Sequence, residues 1–186
     1  MQEKDNVLRI FEEVKEAIQK NDSIKIKNLS NQTINTASLT HDPDNIAVAV
    51  IVYSLSKIIE REGYRKFPGW NNFYKIYINA INKIIIALEK NDEKSVRENL
   101  KLIRQAIGKL SGKLKGYIQD IFNKAKINKA SKIYEHGISM EKTARLLGIT
   151  MFELASYAGQ TDMSDIPENK TLDVKSRIKL VMRMFE

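Results

Sequence analysis

The sequence predicts an all-α protein: a helical bundle, a C-terminal helix-turn-helix module and a terminal helix. Three observations lead there. Only three prolines and eight glycines interrupt 186 residues, which favours long helices. Apolar residues recur at three- and four-residue spacing in one segment after another. Between those segments stand helix start and stop signals: Asn21-Asp22-Ser23, Asp42-Pro43, Pro68-Gly69, Asp92 and a cluster of glycines.

The first helix is expected from about Glu3 to Lys20, with Val7, Leu8, Phe11, Val14 and Ile18 at helical spacing. After the Asn-Asp-Ser turn a more polar helix runs to about Thr40, with Ile26, Leu29, Thr33 and Ala37 on one stripe. Its Ser30-Asn31-Gln32-Thr33 and Asn35-Thr36 side chains compete for the backbone. They read either as bonds to neighbouring helices or as a ligand groove. Asp42-Pro43 opens a third helix, to about Glu62, carrying the apolar run Ile46 to Tyr53 and Leu55. Its β-branched content would suit a strand, but its length, its cap and Gly63 after the last turn make it a central buried helix.

Tyr64 to Trp70 reads as a loop around Pro68-Gly69. A helix follows to about Asn91, with Phe73, Ile76, Tyr77, Ala80, Ile84 and Leu88 inward. Asp92 caps the next, which bears Val96, Leu100, Ile103, Ala106, Ile107 and Leu110. Gly108, Gly112 and Gly116 predict a break near Ser111-Gly112. A further helix, about Lys113 to His136, is stopped by Gly137. Gln160 to Lys170 reads as a linker and Leu172 to Phe185 as an amphipathic basic helix. No internal repeat and no low-complexity tract is expected. The expected divisions are a bundle over 1–125, the helix-turn-helix over 126–161, and linker plus terminal helix over 162–186.

A hydrophobic fraction of 42% can fill a core, and the lack of cysteine excludes disulfides and thiolate metal ligands. The acid-rich, amphipathic N-terminus is unlike a signal peptide, and the apolar runs are too short to span a membrane. A soluble, cytoplasmic protein is expected. Arg97 to Lys132 holds ten basic residues against Glu98 and Asp120, an excess equal to the whole chain's +8. This stretch is a solvated helix face or a surface for polyanions.

Catalytic chemistry has little to work with. His41 and His136 have no partner at metal spacing, and no arginine lies four to six residues before either, as one all-helical ribonuclease motif requires. No phosphate loop, nucleophile elbow or carboxylate pair is present. A non-enzymatic protein without a cofactor is expected. The cluster Tyr64, Arg65, Lys66, Phe67, Trp70, Phe73, Tyr74 and Tyr77 would suit stacking on single-stranded RNA, and its spacing fits core packing equally.

The passage Ser139 to Gly159 points most directly to a role. Ser139 caps one short helix, with Lys142 where a capping-box acid would stand; Ala144 allows close crossing, Gly148 makes the turn, and Thr150 caps a second helix carrying Phe152, Leu154, Ala155 and Tyr157. Lys142, Arg145, Lys126, Lys129 and Lys132 are the candidates for phosphates. Thr150, Glu153 and Ser156, with Gln160 beyond them, are the candidates for the groove, although Met151 to Gly159 holds none of the Lys, Arg, Asn and Gln that best read base edges.

Tyr134, Gly137, Ile138, Ser139, Lys142, Ala144, Leu146 to Thr150 and Phe152 make Ala130 to Thr161 similar to the helix-turn-helix of small archaeal and other prokaryotic antitoxins paired with PIN-domain ribonucleases. That resemblance implies a C-terminal tail wrapping a toxin, with Leu172 to Phe185 as its equivalent; the preceding 130 or so residues have no counterpart in it. The reading is a non-enzymatic, antitoxin-like DNA-binding regulator, with duplex DNA as partner and homodimerisation as companion. A PIN-domain toxin is the protein partner the resemblance implies. The alternatives are a helical protein-interaction adaptor or an RNA-binding protein.

Overall fold

The computed structural model describes residues 1–40 and 42–160. Among them it is all-helical: α1 (Lys4–Gln19), α2 (Ser23–Thr40), α3 (Pro43–Glu60), a short 3-10 helix (Glu62–Lys66), α4 (Trp70–Glu89), α5 (Glu93–Gly108), α6 (Gly112–Glu135), α7 (Met140–Leu147) and α8 (Met151–Gln160). The helix expected over Leu172 to Phe185, and His41, lie outside the described residues. None of the described helices is long and apolar enough to cross a membrane.

The caps work as their chemistry requires. Asp42 Oδ1 accepts from the Asp44 N–H at 2.8 Å, with Pro43 in the first turn, and Asp92 Oδ1 accepts from the Ser95 N–H at 3.0 Å. The loop expected from Tyr64 to Trp70 is half structured, because the 3-10 turn takes up Glu62 to Lys66 and only Phe67 to Gly69 remain irregular. The break near Ser111-Gly112 is where α6 begins, with Gly112 at φ +57.

One reading of the sequence is corrected: the chain does contain a repeat, with a period of 70 residues. Lys20-Asn21-Asp22 after α1 and Lys90-Asn91-Asp92 after α4 are the same turn. Asn21 and Asn91 have φ 51 and 55, and the N–H groups of Asp22 and Asp92 donate to Ala17 O at 2.9 Å and Ala87 O at 2.8 Å. Burial follows the same offset. Val7, Ile10, Phe11, Val14 and Ala17 match Tyr77, Ala80, Ile81, Ile84 and Ala87, all buried; Val48, Ile51, Val52 and Leu55 match Ile118, Ile121, Phe122 and Ala125. Thus α1–α3 and α4–α6 are two copies of a three-helix unit. The copies meet through α1 against α4 and α3 against α6, while α2 touches α6 as α5 touches α3. These pairings are those of an approximate two-fold axis.

Helix α3 is buried around most of its girth and forms the centre. Tyr77 Oη, fully buried, donates to Ile51 O at 2.7 Å and ties α4 to it. The polar string of α2 bonds its neighbours on three sides: Ser30 Oγ donates to Ala49 O (2.7 Å), Asn6 Nδ2 donates to Thr36 Oγ1 (3.4 Å), and Asn31 and Asn35 meet Lys129 and His136 of α6. Where α2 lies along α3 for most of its length, α5 barely touches α6. The duplication is therefore imperfect at one place, and a cleft opens there. Helix α6 itself runs unbroken across residue 125, so the bundle and the bihelical corner share it.

Candidate functional site: the bihelical corner and its basic surroundings

Helices α7 and α8 form a compact corner on the C-terminal half of α6. Ser139 Oγ accepts from the Lys142 N–H at 3.3 Å. Ala144 and Leu147 turn inward (3% and 7% exposed), and Gly148 sits in the left-handed region (φ 62, ψ 46), so the Ile149 N–H can reach back to Ala144 O at 3.1 Å. Leu154, fully buried, anchors α8, and Asn128 Nδ2 of α6 donates to Tyr157 Oη at 3.2 Å. The left-handed turn at Gly148, the small Ala144 and the inward Leu147 and Leu154 bring the two short helices together as a bihelical corner.

The candidate groove residues are used differently. Thr150 and Glu153 form a reciprocal cap: the Glu153 carboxylate accepts from the Thr150 N–H and from Thr150 Oγ1 (2.8 Å each), and the Glu153 N–H donates to Thr150 Oγ1 at 3.1 Å. The bonds from Thr150, backbone first, hold the Glu153 carboxyl below its ordinary range, with Lys126 adding a smaller pull. Ser156 is half-buried and lines a groove of about 520 Å³ between α8 and α6, beside Tyr53, Ile127 and Phe152.

Of the candidate phosphate ligands, Lys142 and Arg145 are exposed, Arg145 pairing with Glu141 at 2.9 Å, and Lys126 and Lys132 are half-exposed. Lys129 is corrected: it is fully buried. Its Nζ donates to Asn31 Oδ1 at 2.8 Å and lies 4.4 Å from the Tyr53 ring centroid. With no carboxylate at hand, burial first, then the positive charges of Lys132 and Lys27, pushes the ammonium down to about 7. In the sequence Lys129 looked like one more member of the basic stretch. Its register was the available signal, since Ala125 and Ile133, four residues either side, are core.

Sequence reasoning grouped Phe152 with the apolar residues of the second helix and gave it no surface role. It is 81% exposed and Met151 53% exposed, in the first turn of α8 just after the bend from α7. Helical geometry explains it: Phe152 lies two residues, about 200°, around the helix from buried Leu154. The aromatic-basic cluster divides. Trp70, Phe73 and Tyr77 are core residues, whereas Tyr64 and Phe67 gather at the surface around Tyr117, at 5.3 and 5.6 Å between ring centroids.

A second, larger concavity of about 1020 Å³ lies between α3, α5, α6 and α7, where the duplication is imperfect. Arg104, Lys126 and Arg145 stand on its walls. No group of His, Asp or Glu among the described residues is arranged to hold a metal ion. No family model, curated protein or solved structure matches this chain.

Proposed function

We propose that the chain is a non-enzymatic interaction protein whose bihelical corner docks onto a protein through the exposed first turn of α8. The carrying observation is the exposure of Met151 and Phe152 beside a Thr150–Glu153 pair already engaged in capping. An exposed aromatic beside a flexible thioether suits an apolar pocket on a partner. The same surface offers base edges few donors, and Glu153 opposes phosphate.

A second reading keeps the corner as a DNA-binding helix-turn-helix, antitoxin-like, with Lys142, Arg145, Lys126 and Lys132 on phosphates. Its support is the Ala144–Gly148 bend, whose geometry suits that motif, and the exposure of Lys142 and Arg145. One experiment separates the two: a photo-crosslinking side chain at 152 in the native host, beside gel shifts of genomic duplex at low salt. Crosslinks to one protein, with no retardation of duplex, support docking. Retardation that disappears in Lys142→Glu/Arg145→Glu, without protein crosslinks, overturns docking in favour of DNA.

A further inference from the structure

We propose that the cleft between α5 and α6 is a docking slot for an acidic amphipathic helix from a partner protein. This does not rest on the α8 surface. The internal duplication supplies the shape of the occupant. In the first unit the corresponding space is filled by contact of α2 with α3, where Ile34 and Ala49 are both fully buried. Seventy residues on, their equivalents are Arg104 and Gln119, both exposed and both on the cleft wall. A guanidinium does not pack beneath a helix without an anion, and a glutamine amide needs partners there that Ala49 did not. Helix α5 therefore stands away from α6.

The opening fits a helix. Two turns, a cylinder about 10 Å across and 11 Å long, displace about 850 Å³, against about 1020 Å³ available. Apolar side chains in the lining are Ala47 and Val50 of α3, Ile107 of α5, Phe122 of α6 and Leu146 of α7, beside the polar Gln119 and Asn123 of α6. The cations in the same lining are Arg104, Lys126 and Arg145, the last already paired with Glu141 at 2.9 Å. Neither Arg104 nor Lys126 makes an ion pair among the described residues. The acid at the rim, Asp44, is already held by Arg97 Nε at 2.8 Å. A ligand with an apolar stripe flanked by carboxylates satisfies both features. A nucleic-acid backbone would meet the cations and leave Ala47, Val50, Ile107, Phe122 and Leu146 uncovered.

The probe is a labelled synthetic helix of about 14 residues whose central two turns carry the cleft-facing leucines, at i, i+4 and i+7, with glutamates flanking that stripe and the outer turns overhanging the slot. Its control carries lysines in place of the glutamates. Fluorescence anisotropy with the full chain should show micromolar binding of the acidic peptide and none of the basic one. Arg104→Glu/Lys126→Glu should weaken the acidic peptide at least tenfold. Gly108→Phe should do the same by filling the cleft without changing its charge. A Cβ at Gly108 meets nothing within 4 Å, so the backbone there accepts a side chain, and circular dichroism checks that the fold is kept. Failure of the full chain to bind the acidic peptide, equal binding of both peptides, or binding untouched by both variants overturns the proposal. So does a short duplex that binds through Arg104 and Lys126 in place of the peptide, which would assign the cations to nucleic acid.

Discussion

Lys129 and Tyr53 face each other inside the bundle, the ammonium 4.4 Å from the ring centroid, with Asn31 as the lysine's hydrogen-bond acceptor. The arrangement places a charge among packed helices with a π face and one amide to receive it. The unfolded chain holds this proton up to about pH 10.5, while the folded chain releases it near 7. Stability therefore rises with pH between those values, and the cost is fully present below 7. It is on the order of a few kcal/mol. Lys129→Met should raise the Tm at neutral pH and flatten the rise between pH 7 and 10. A Tm that falls at every pH would show that the Asn31 and Tyr53 contacts outweigh the burial cost.

Gly148 holds φ 62 at the bend between α7 and α8. Gly148→Val should strain that bend by about 1–2 kcal/mol or more. Hydrogen exchange should locate the loss in residues 140 to 158, leaving α1 to α5 protected as before. Uniform loss across the bundle would mean that the corner and the bundle unfold as one.

On α8 two apolar side chains should behave oppositely. Leu154→Ala removes a fully buried group and should cost about 2–4 kcal/mol. Phe152→Ser alters a side chain that is 81% exposed and should leave the Tm within a degree or two while abolishing partner capture. Thermal melts of the two variants test this directly.

Glu153 should prove a cap before it proves a contact. Its carboxyl is held below the ordinary range by Thr150, so its contribution is present above the unfolded pKa and is lost as pH falls through the lower folded one. Glu153→Ala should speed amide exchange at Thr150 and the first turn of α8, whereas Glu153→Gln should keep part of the protection. Equal exchange in both variants and the parent would remove the capping role.

Trp70 is 6% exposed and stacks on Tyr74 at 5.5 Å, so Trp70→Ala should cost about 3–5 kcal/mol, visible in denaturant melts. Unchanged stability would return this residue to the stacking platform that the sequence also suggested.

Much of the architecture was legible because it depends on local chemistry. Asp42-Pro43, Asp92, Ser139 and Gly148 declare helix ends through groups that only those ends can use. The duplication was not legible, because packing conserves where apolar residues fall and not which ones. Val7 answers to Tyr77 and Ile10 to Ala80, single identities such as Ala17/Ala87 and Ile51/Ile121 are isolated, and the Lys-Asn-Asp turn, whose asparagine takes a positive φ, is the one run of three that keeps its identity. At the candidate site the bend was readable, but exposure was not. Lys129 and Lys132 are three residues apart in one basic run, and only the tertiary packing of α2 and α3 against α6 separates the buried one from the half-exposed one.

The matched turns at Asn21 and Asn91 have a consequence for a severed chain. Cut at Pro68-Gly69, each piece would bare the flank that its twin normally covers, and each would carry the template for mending it. Such pieces, made separately and then mixed, should find one another, and a lone first half should pair with its own kind.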